Sequence, residues 1–168
     1  MKAILVAAVA AVTIQPIVFL LLFVLPQVVA GGEIPLGEAL GVSLFAAPFA
    51  LPFVLLIGIP AFLVLRRFRR LSWLSLGLIG FFSAGILPTL SQVVFGSCPG
   101  CSSGGTWHGR YVDFVVNGEM TLYGWLNHVE SSIYFGLHGL AGALAFYFVW
   151  RRLGPNNSFK PKPLRGSA

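Results

Sequence analysis

Charge is scarce in this sequence. Of its 168 residues only 10% are Asp, Glu, Lys or Arg, against about 25% in a soluble domain, and that is a membrane-protein composition. Acidic residues are scarcer still. There are five, Glu33, Glu38, Asp113, Glu119 and Glu130, and none lies inside a long apolar run. Ion pumps and proton-coupled transporters need ionisable relays at membrane depth, so this absence argues against both. An internal repeat, the other mark of many transporters, is also missing. So are paired carboxylates, a phosphate-binding glycine loop and a nucleophile with an adjacent base, which removes the main hydrolytic and nucleotide-dependent classes. Cysteine is limited to a single pair, Cys98 and Cys101.

What fills the chain is apolar: 57% of residues are hydrophobic. They gather in four runs, Ala3–Ala30, Leu40–Leu65, Leu71–Phe95 and Ser131–Trp150. Crossing ~30 Å of hydrocarbon takes about 20 residues as a helix, and all four runs qualify. Without water to satisfy backbone groups, each span must be helical. The expected fold is therefore an all-α integral membrane protein, a four-helix transmembrane bundle forming one domain over residues 1–153. Residues 154–168, proline-rich and basic, are expected to be a disordered cytoplasmic tail.

The net charge of +6 raises nucleic acid as a partner. The positions of the bases exclude it. Lys2 precedes the first run, Arg66, Arg67, Arg69 and Arg70 fill the turn between the second and third, and Arg151, Arg152, Lys160, Lys162 and Arg165 follow the fourth. A path of four alternating spans puts these ten of the eleven bases on one side, and the positive-inside rule makes that side the cytoplasm. N-in and C-in follows, in a bacterial inner membrane. The first run ends in Val28-Val29-Ala30, a tolerable cleavage pattern, but a secretory signal has an apolar core of about 7–15 residues. The run is nearly twice that length and is expected to stay as the first helix.

Within the spans, small residues recur at helical spacing: Ala3, Ala7, Ala10 and Ala11 in the first, Gly77, Gly80, Ala84 and Gly85 in the third, Ser132, Gly136, Gly139 and Ala143 in the fourth. Such seams let backbones approach closely, and the third and fourth helices are expected to touch. Pro48, Pro52 and Pro60 should kink the second. Two polar side chains stand at membrane depth, Gln15 and His138. Gln15 is expected to bond a neighbouring helix, and His138 to be packed and hydrogen-bonded. Haem ligation normally takes two facing histidines, and no second histidine lies in a span, so no cofactor is expected.

The one sizeable non-membrane element is the loop over 96–130, on the extracytoplasmic side. RYVDFVVNGEMTLYGW contains two β-rich runs around Asn117-Gly118, a pair suited to a type I′ turn. A β-hairpin over 110–125 is expected, with Val116 facing Glu119, Val115 facing Met120, and pairs continuing to Val112 and Tyr123. Asn127 followed by Glu130 is a capping pattern that would start the fourth helix near His128. A lone hairpin is marginal in water, so this one should rest on helix ends, head groups or a partner. Its expected partner-binding residues are Trp107, Arg110, Tyr111, Asp113, Phe114, Glu119, Tyr123 and Trp125. The aromatic ones also suit an interfacial belt.

Cys98-Pro-Gly-Cys101 admits three chemistries. With His108 and His128 it could bind zinc, but the second half lacks a zinc module's spacing. Outside the cytoplasm thiols oxidise and disulfides persist, so a structural disulfide is favoured and no metal is expected. A redox pair is the third. Four spans, both termini inside and an external Cys-x-x-Cys resemble in outline the quinone-linked membrane oxidases that re-oxidise periplasmic thiol oxidases. That family uses two cysteine pairs and places its Cys-x-x-Cys after the first span, whereas this chain has one pair, after the third.

A small bundle that displays a stapled feature outside the cytoplasm, with no catalytic constellation, suits a binding or blocking protein. The leading expectation is a non-enzymatic immunity or inhibitor protein that binds and neutralises a membrane-acting toxin, similar to such proteins in size and span count. The alternatives are an accessory subunit of a membrane complex and a membrane thiol-disulfide oxidoreductase acting through Cys98 and Cys101. The bilayer and a protein are thus the expected partners, in a homo- or hetero-oligomer.

Overall fold

The computed structural model describes residues 2–29, 36–90 and 98–154. Four helices in it are long and apolar enough to cross a membrane: α1 (Lys2–Val29), α2 (Gly37–Arg67), α3 (Trp73–Leu90) and α4 (Leu122–Leu153). The expected end of the third span, residues 91–95, and the tail from 155 onward lie outside the described residues, as does Ala30 of the cleavage pattern. A small sheet stands between α3 and α4 in the chain.

The bundle is tightest at one end. Phe62 of α2 is fully buried, its ring 5.1 Å from Phe146 and 4.9 Å from Trp150 of α4. Ala7, Ala8 and Ala11 of α1 and Leu76 of α3 complete this core, with Ala3 and Ile4 packed against it. The Arg66 guanidinium lies 5.8 Å from the Trp150 ring, a cation–π contact. Lys2, the arginine turn and Arg151–Arg152 therefore share this end. Ser72 opens α3 with a reciprocal cap: the Ser75 amide donates to its hydroxyl (3.0 Å) and its own amide donates to Ser75 Oγ (2.9 Å).

Along α3 and α4 the expected small-residue seams meet. A Cβ on Gly139 would collide with the Gly80 carbonyl oxygen, and one on Gly136 would lie 2.7 Å from the Phe81 ring. Only glycine permits that backbone approach, which is how membrane helices gain packing contacts without a hydrophobic drive. Gly85 meets the Ser132 carbonyl in the same way at 2.9 Å.

Pro26 and Pro60 each follow a widened turn. Two turns are π-helical, Leu20–Val24 in α1 and Val54–Gly58 in α2. Each closes on the residue just before a proline: Leu25, before Pro26, donates to Leu20, and Ile59, before Pro60, donates to Val54. A proline lacks an N–H and its ring crowds the preceding turn. The widened turn gives the ring room while keeping the neighbouring amide bonded. Pro48 and Pro52 sit within regular α-helix.

Between α3 and α4 stands a three-stranded antiparallel sheet, β1 (Ser103–Trp107), β2 (Arg110–Val116) and β3 (Glu119–Met120), in the order β1-β2-β3. Its expected register holds over two pairs, Val116 with Glu119 and Val115 with Met120. The hairpin then ends early. Thr121 turns the chain, and α4 starts at Leu122 with Thr121 as its cap, so the expected pairs of Asp113 with Leu122 and Val112 with Tyr123 do not form. The cap explains the correction: the Thr121 hydroxyl donates to the Asp113 carbonyl at 2.5 Å and accepts the Gly124 amide at 3.1 Å. Asn127 and Glu130 lie inside the helix instead of at its start. With 32 residues α4 is about 48 Å long at 1.5 Å per residue, and its first turns extend beyond the expected 131–150 span.

β1 was not expected. Its pairing with β2 runs from Trp107 opposite Arg110 to Ser103 opposite Val115, with an irregularity at Ser103/Gly104. The two strands are joined by His108-Gly109, with φ of 48° and 78°, and the next turn is Asn117-Gly118, with φ of 53° and 86°. Both are two-residue turns with positive φ at both positions, the twist that matches paired strands.

Candidate functional site

Two places concentrate polar and aromatic groups: the sheet with the first turns of α4, and a hydrogen-bonded pair inside the bundle.

At the sheet, Trp107 ends β1 and turns inward. Its indole N–H donates to Glu130 Oε2 at 2.6 Å, and His108 Nε2 lies 3.3 Å from the same oxygen. One carboxylate of α4 thus holds the β1–β2 turn. The Trp107 ring also stands edge-on to Tyr123, 5.8 Å away. Further along the sheet, Gly124 of α4 sits against Phe114 of β2: a Cβ there would strike the Phe114 carbonyl. The Thr121 amide donates to that same oxygen at 3.0 Å. β2 is therefore fastened to the start of α4 along the backbone.

Cys98 and Cys101 form a disulfide, and both residues are exposed. The short loop is seated on the second turn. The Gly118 amide donates to the Cys101 carbonyl at 2.7 Å, and the Asn117 amide donates to Ser102 Oγ at 3.1 Å. Closing four residues removes little chain entropy, worth about 2 kcal/mol. The staple thus stiffens the Asn117–Gly118 turn more than it stabilises the whole molecule.

The expected partner-binding residues divide into two groups. Trp107 and Phe114 are half-buried and serve the internal packing, Phe114 lying against Gly105. Arg110, Tyr111, Asp113, Glu119, Tyr123 and Trp125 are exposed. Tyr111 keeps 73% and Trp125 56% of its surface free, and Leu122, which sequence reasoning left out, keeps 71%. Its place in the first turn of α4 became legible only with the helix start. The outer edge of β1 has no strand partner among the described residues.

Comparison with known protein families, curated proteins and solved structures finds no match. The site therefore has to be understood from its own geometry. Among the described residues no three His, Cys, Asp or Glu side chains converge as metal ligands. His108 is turned to Glu130, and His128 Nε2 is 3.0 Å from Thr89 Oγ1, joining α4 to the end of α3. The two cysteines are in each other's company, so the four potential zinc ligands are spoken for separately.

Inside the bundle, Gln15 of α1 and His138 of α4 are partners. His138 Nδ1 is 2.8 Å from Gln15 Oε1, and Gln15 Nε2 donates to the Ala11 carbonyl (3.0 Å) and the His138 carbonyl (3.3 Å). Gly142 makes the space, since a Cβ there would lie 2.8 Å from the Gln15 amide nitrogen. The pair ties α1 to α4 on the wall of a cavity of about 630 Å³ bounded by all four helices.

Proposed function

We propose that this protein acts by holding a partner: it is a small multi-pass protein of a bacterial inner membrane that binds and neutralises a membrane-acting toxin, an immunity or inhibitor protein. The observation that carries the reading is a pre-organised, exposed platform. The sheet is fastened to α4 through Thr121, Gly124 and the Trp107–Glu130 bond, while Tyr111, Leu122 and Trp125 face outward. Rigid exposed aromatic side chains are the usual anchors of protein interfaces because they bury much area at small entropic loss. The free edge of β1 adds a row of backbone groups that an incoming strand can pair with.

Membrane placement in this reading follows the positive-inside rule. The basic end faces the cytoplasm and the platform faces the side from which an external toxin arrives. The test is survival. Cells that carry the cognate toxin should require this gene, and Tyr111→Ala combined with Trp125→Ala should remove protection while the protein still accumulates in the membrane.

One observation favours a second reading, an accessory subunit of a membrane complex. Only 6% of the apolar stretch of α2 is buried inside the protein, against 22% for α1 and α4, which leaves α2 a broad face for a neighbouring span. Purification in mild detergent with a fixed set of subunits in constant ratio would support it.

A further inference from the structure

The cavity between the four helices has features that a packing gap lacks. Near the basic end, Phe62 closes the bundle. Further along, α2 stands away from α3, and the space is walled by Phe45, Phe49 and the π-helical turn on α2, by Ile79 and Ser83 on α3, and by His138 on α4. At about 630 Å³ it falls within the ~300–1,000 Å³ range of small-molecule sites. Its wall is almost wholly apolar.

The polarity of its one built feature can be derived. Gln15 Nε2 is placed between two backbone carbonyls, which only accept, so that side of the amide must be the NH₂ group. Oε1 therefore faces His138 and accepts. A neutral imidazole has one N–H, and with Oε1 as its partner that proton is on Nδ1. Nε2 is left with a lone pair. It makes no hydrogen bond among the described residues, yet no buried side-chain nitrogen or oxygen among them lacks a partner. Nε2 is thus an open acceptor on a residue that lines the cavity.

We infer that the cavity is a binding site for a membrane-dissolved lipophile, a long aliphatic or prenyl body whose polar group is a hydroxyl donating to His138 Nε2. Water is absent at this depth, so an unmet acceptor costs free energy and a donor on the ligand relieves it. The apolar remainder lies along Phe45, Phe49 and the π turn of α2. A plain acyl chain fills the same walls without meeting Nε2, and this separates a specific ligand from bulk lipid. The Ser83 hydroxyl donates to the Ile79 carbonyl at 2.6 Å and its oxygen keeps lone pairs that also accept, so His138→Leu decides which of the two meets the ligand hydroxyl.

The test uses the full chain in nanodiscs of phosphatidylethanolamine and phosphatidylglycerol, with two photoreactive probes, diazirine-bearing hexadecanol and the matching diazirine-bearing hexadecane. The alcohol should label peptides of α2 and α3 about ten-fold more than the alkane, one intramembrane hydrogen bond's worth. Unlabelled hexadecanol should compete in the wild-type protein and hexadecane should not. His138→Leu should bring alcohol labelling down to the alkane level, and Ala50→Trp, which fills the cavity but leaves the Gln15–His138 pair in place, should suppress both. Equal labelling by the two probes, or equal competition by the two unlabelled compounds, would overturn the inference and leave lipid chains as the occupant. Labelling that is blocked in the wild type by a co-purified membrane helix would overturn it as well.

Discussion

Gln15 and His138, 123 positions apart in the chain, share a hydrogen bond of 2.8 Å between Oε1 and Nδ1. It joins the first and last helices, and the Gln15 amide donates through Nε2 to the Ala11 and His138 carbonyls. Replacing Gln15 by Leu strands the imidazole N–H and should destabilise the protein by about 1–2 kcal/mol, the upper part of the range for intramembrane hydrogen bonds. A double-mutant cycle of Gln15→Leu and His138→Phe, followed by unfolding in detergent, should give a coupling of about 1 kcal/mol. Strict additivity would contradict the pairing.

The α3–α4 seam makes a steeper prediction. Gly139→Ala places a methyl group against the Gly80 carbonyl, so the helices must separate, at about 1–3 kcal/mol or more. Gly41→Ala is the control, because a Cβ there meets nothing within 4 Å. Thermal unfolding in detergent should fall clearly for the first and stay level or rise slightly for the second.

The carboxylate of Glu130 anchors the β1–β2 turn through Trp107. Trp107→Phe keeps an aromatic side chain but removes the indole N–H, so amide hydrogen exchange should quicken along Ser103–Trp107 while the amides of α4 near Phe146 stay protected. Uniformly faster exchange over the whole chain would show that Trp107 supports the global fold instead of the local turn.

How much of this was readable beforehand depended on the kind of constraint. The four spans, the arginine turn and the contacting glycine seams follow from composition and spacing, because hydrocarbon permits few alternatives. The Asn117-Gly118 turn was legible from the same local chemistry that makes it. β1 was not: Ser103-Gly104-Gly105-Thr106 has poor strand propensity, and its glycines are explained only by what crowds them, Tyr111 and the Val112 carbonyl at Gly104 and the Phe114 ring at Gly105. The start of α4 was misplaced because Asn127 and Glu130 imitate a cap. Thr121 performs that role and frees Glu130 to hold Trp107. The cavity was invisible in the sequence, since it depends on where α2 stands relative to α3.

The disulfide separates the binding reading from thiol exchange. Cys98→Ser with Cys101→Ser should cost at most about 2 kcal/mol, quicken exchange at Asn117 and Gly118, and leave a binding protein largely functional. Complete loss of phenotype in either single variant, with normal accumulation in the membrane, would favour the oxidoreductase alternative, because exchange chemistry needs both sulfurs.

The most direct measurement of the proposed function is growth after deletion of this gene, alone and together with each neighbouring gene. Protection against a toxin predicts that single deletion arrests growth, that removing one particular neighbour restores it, and that the wild-type gene, but not Tyr111→Ala with Trp125→Ala, rescues it in trans. Unimpaired growth of the single deletion while a neighbouring toxin is being made, or rescue by the double variant equal to wild type, would contradict the account.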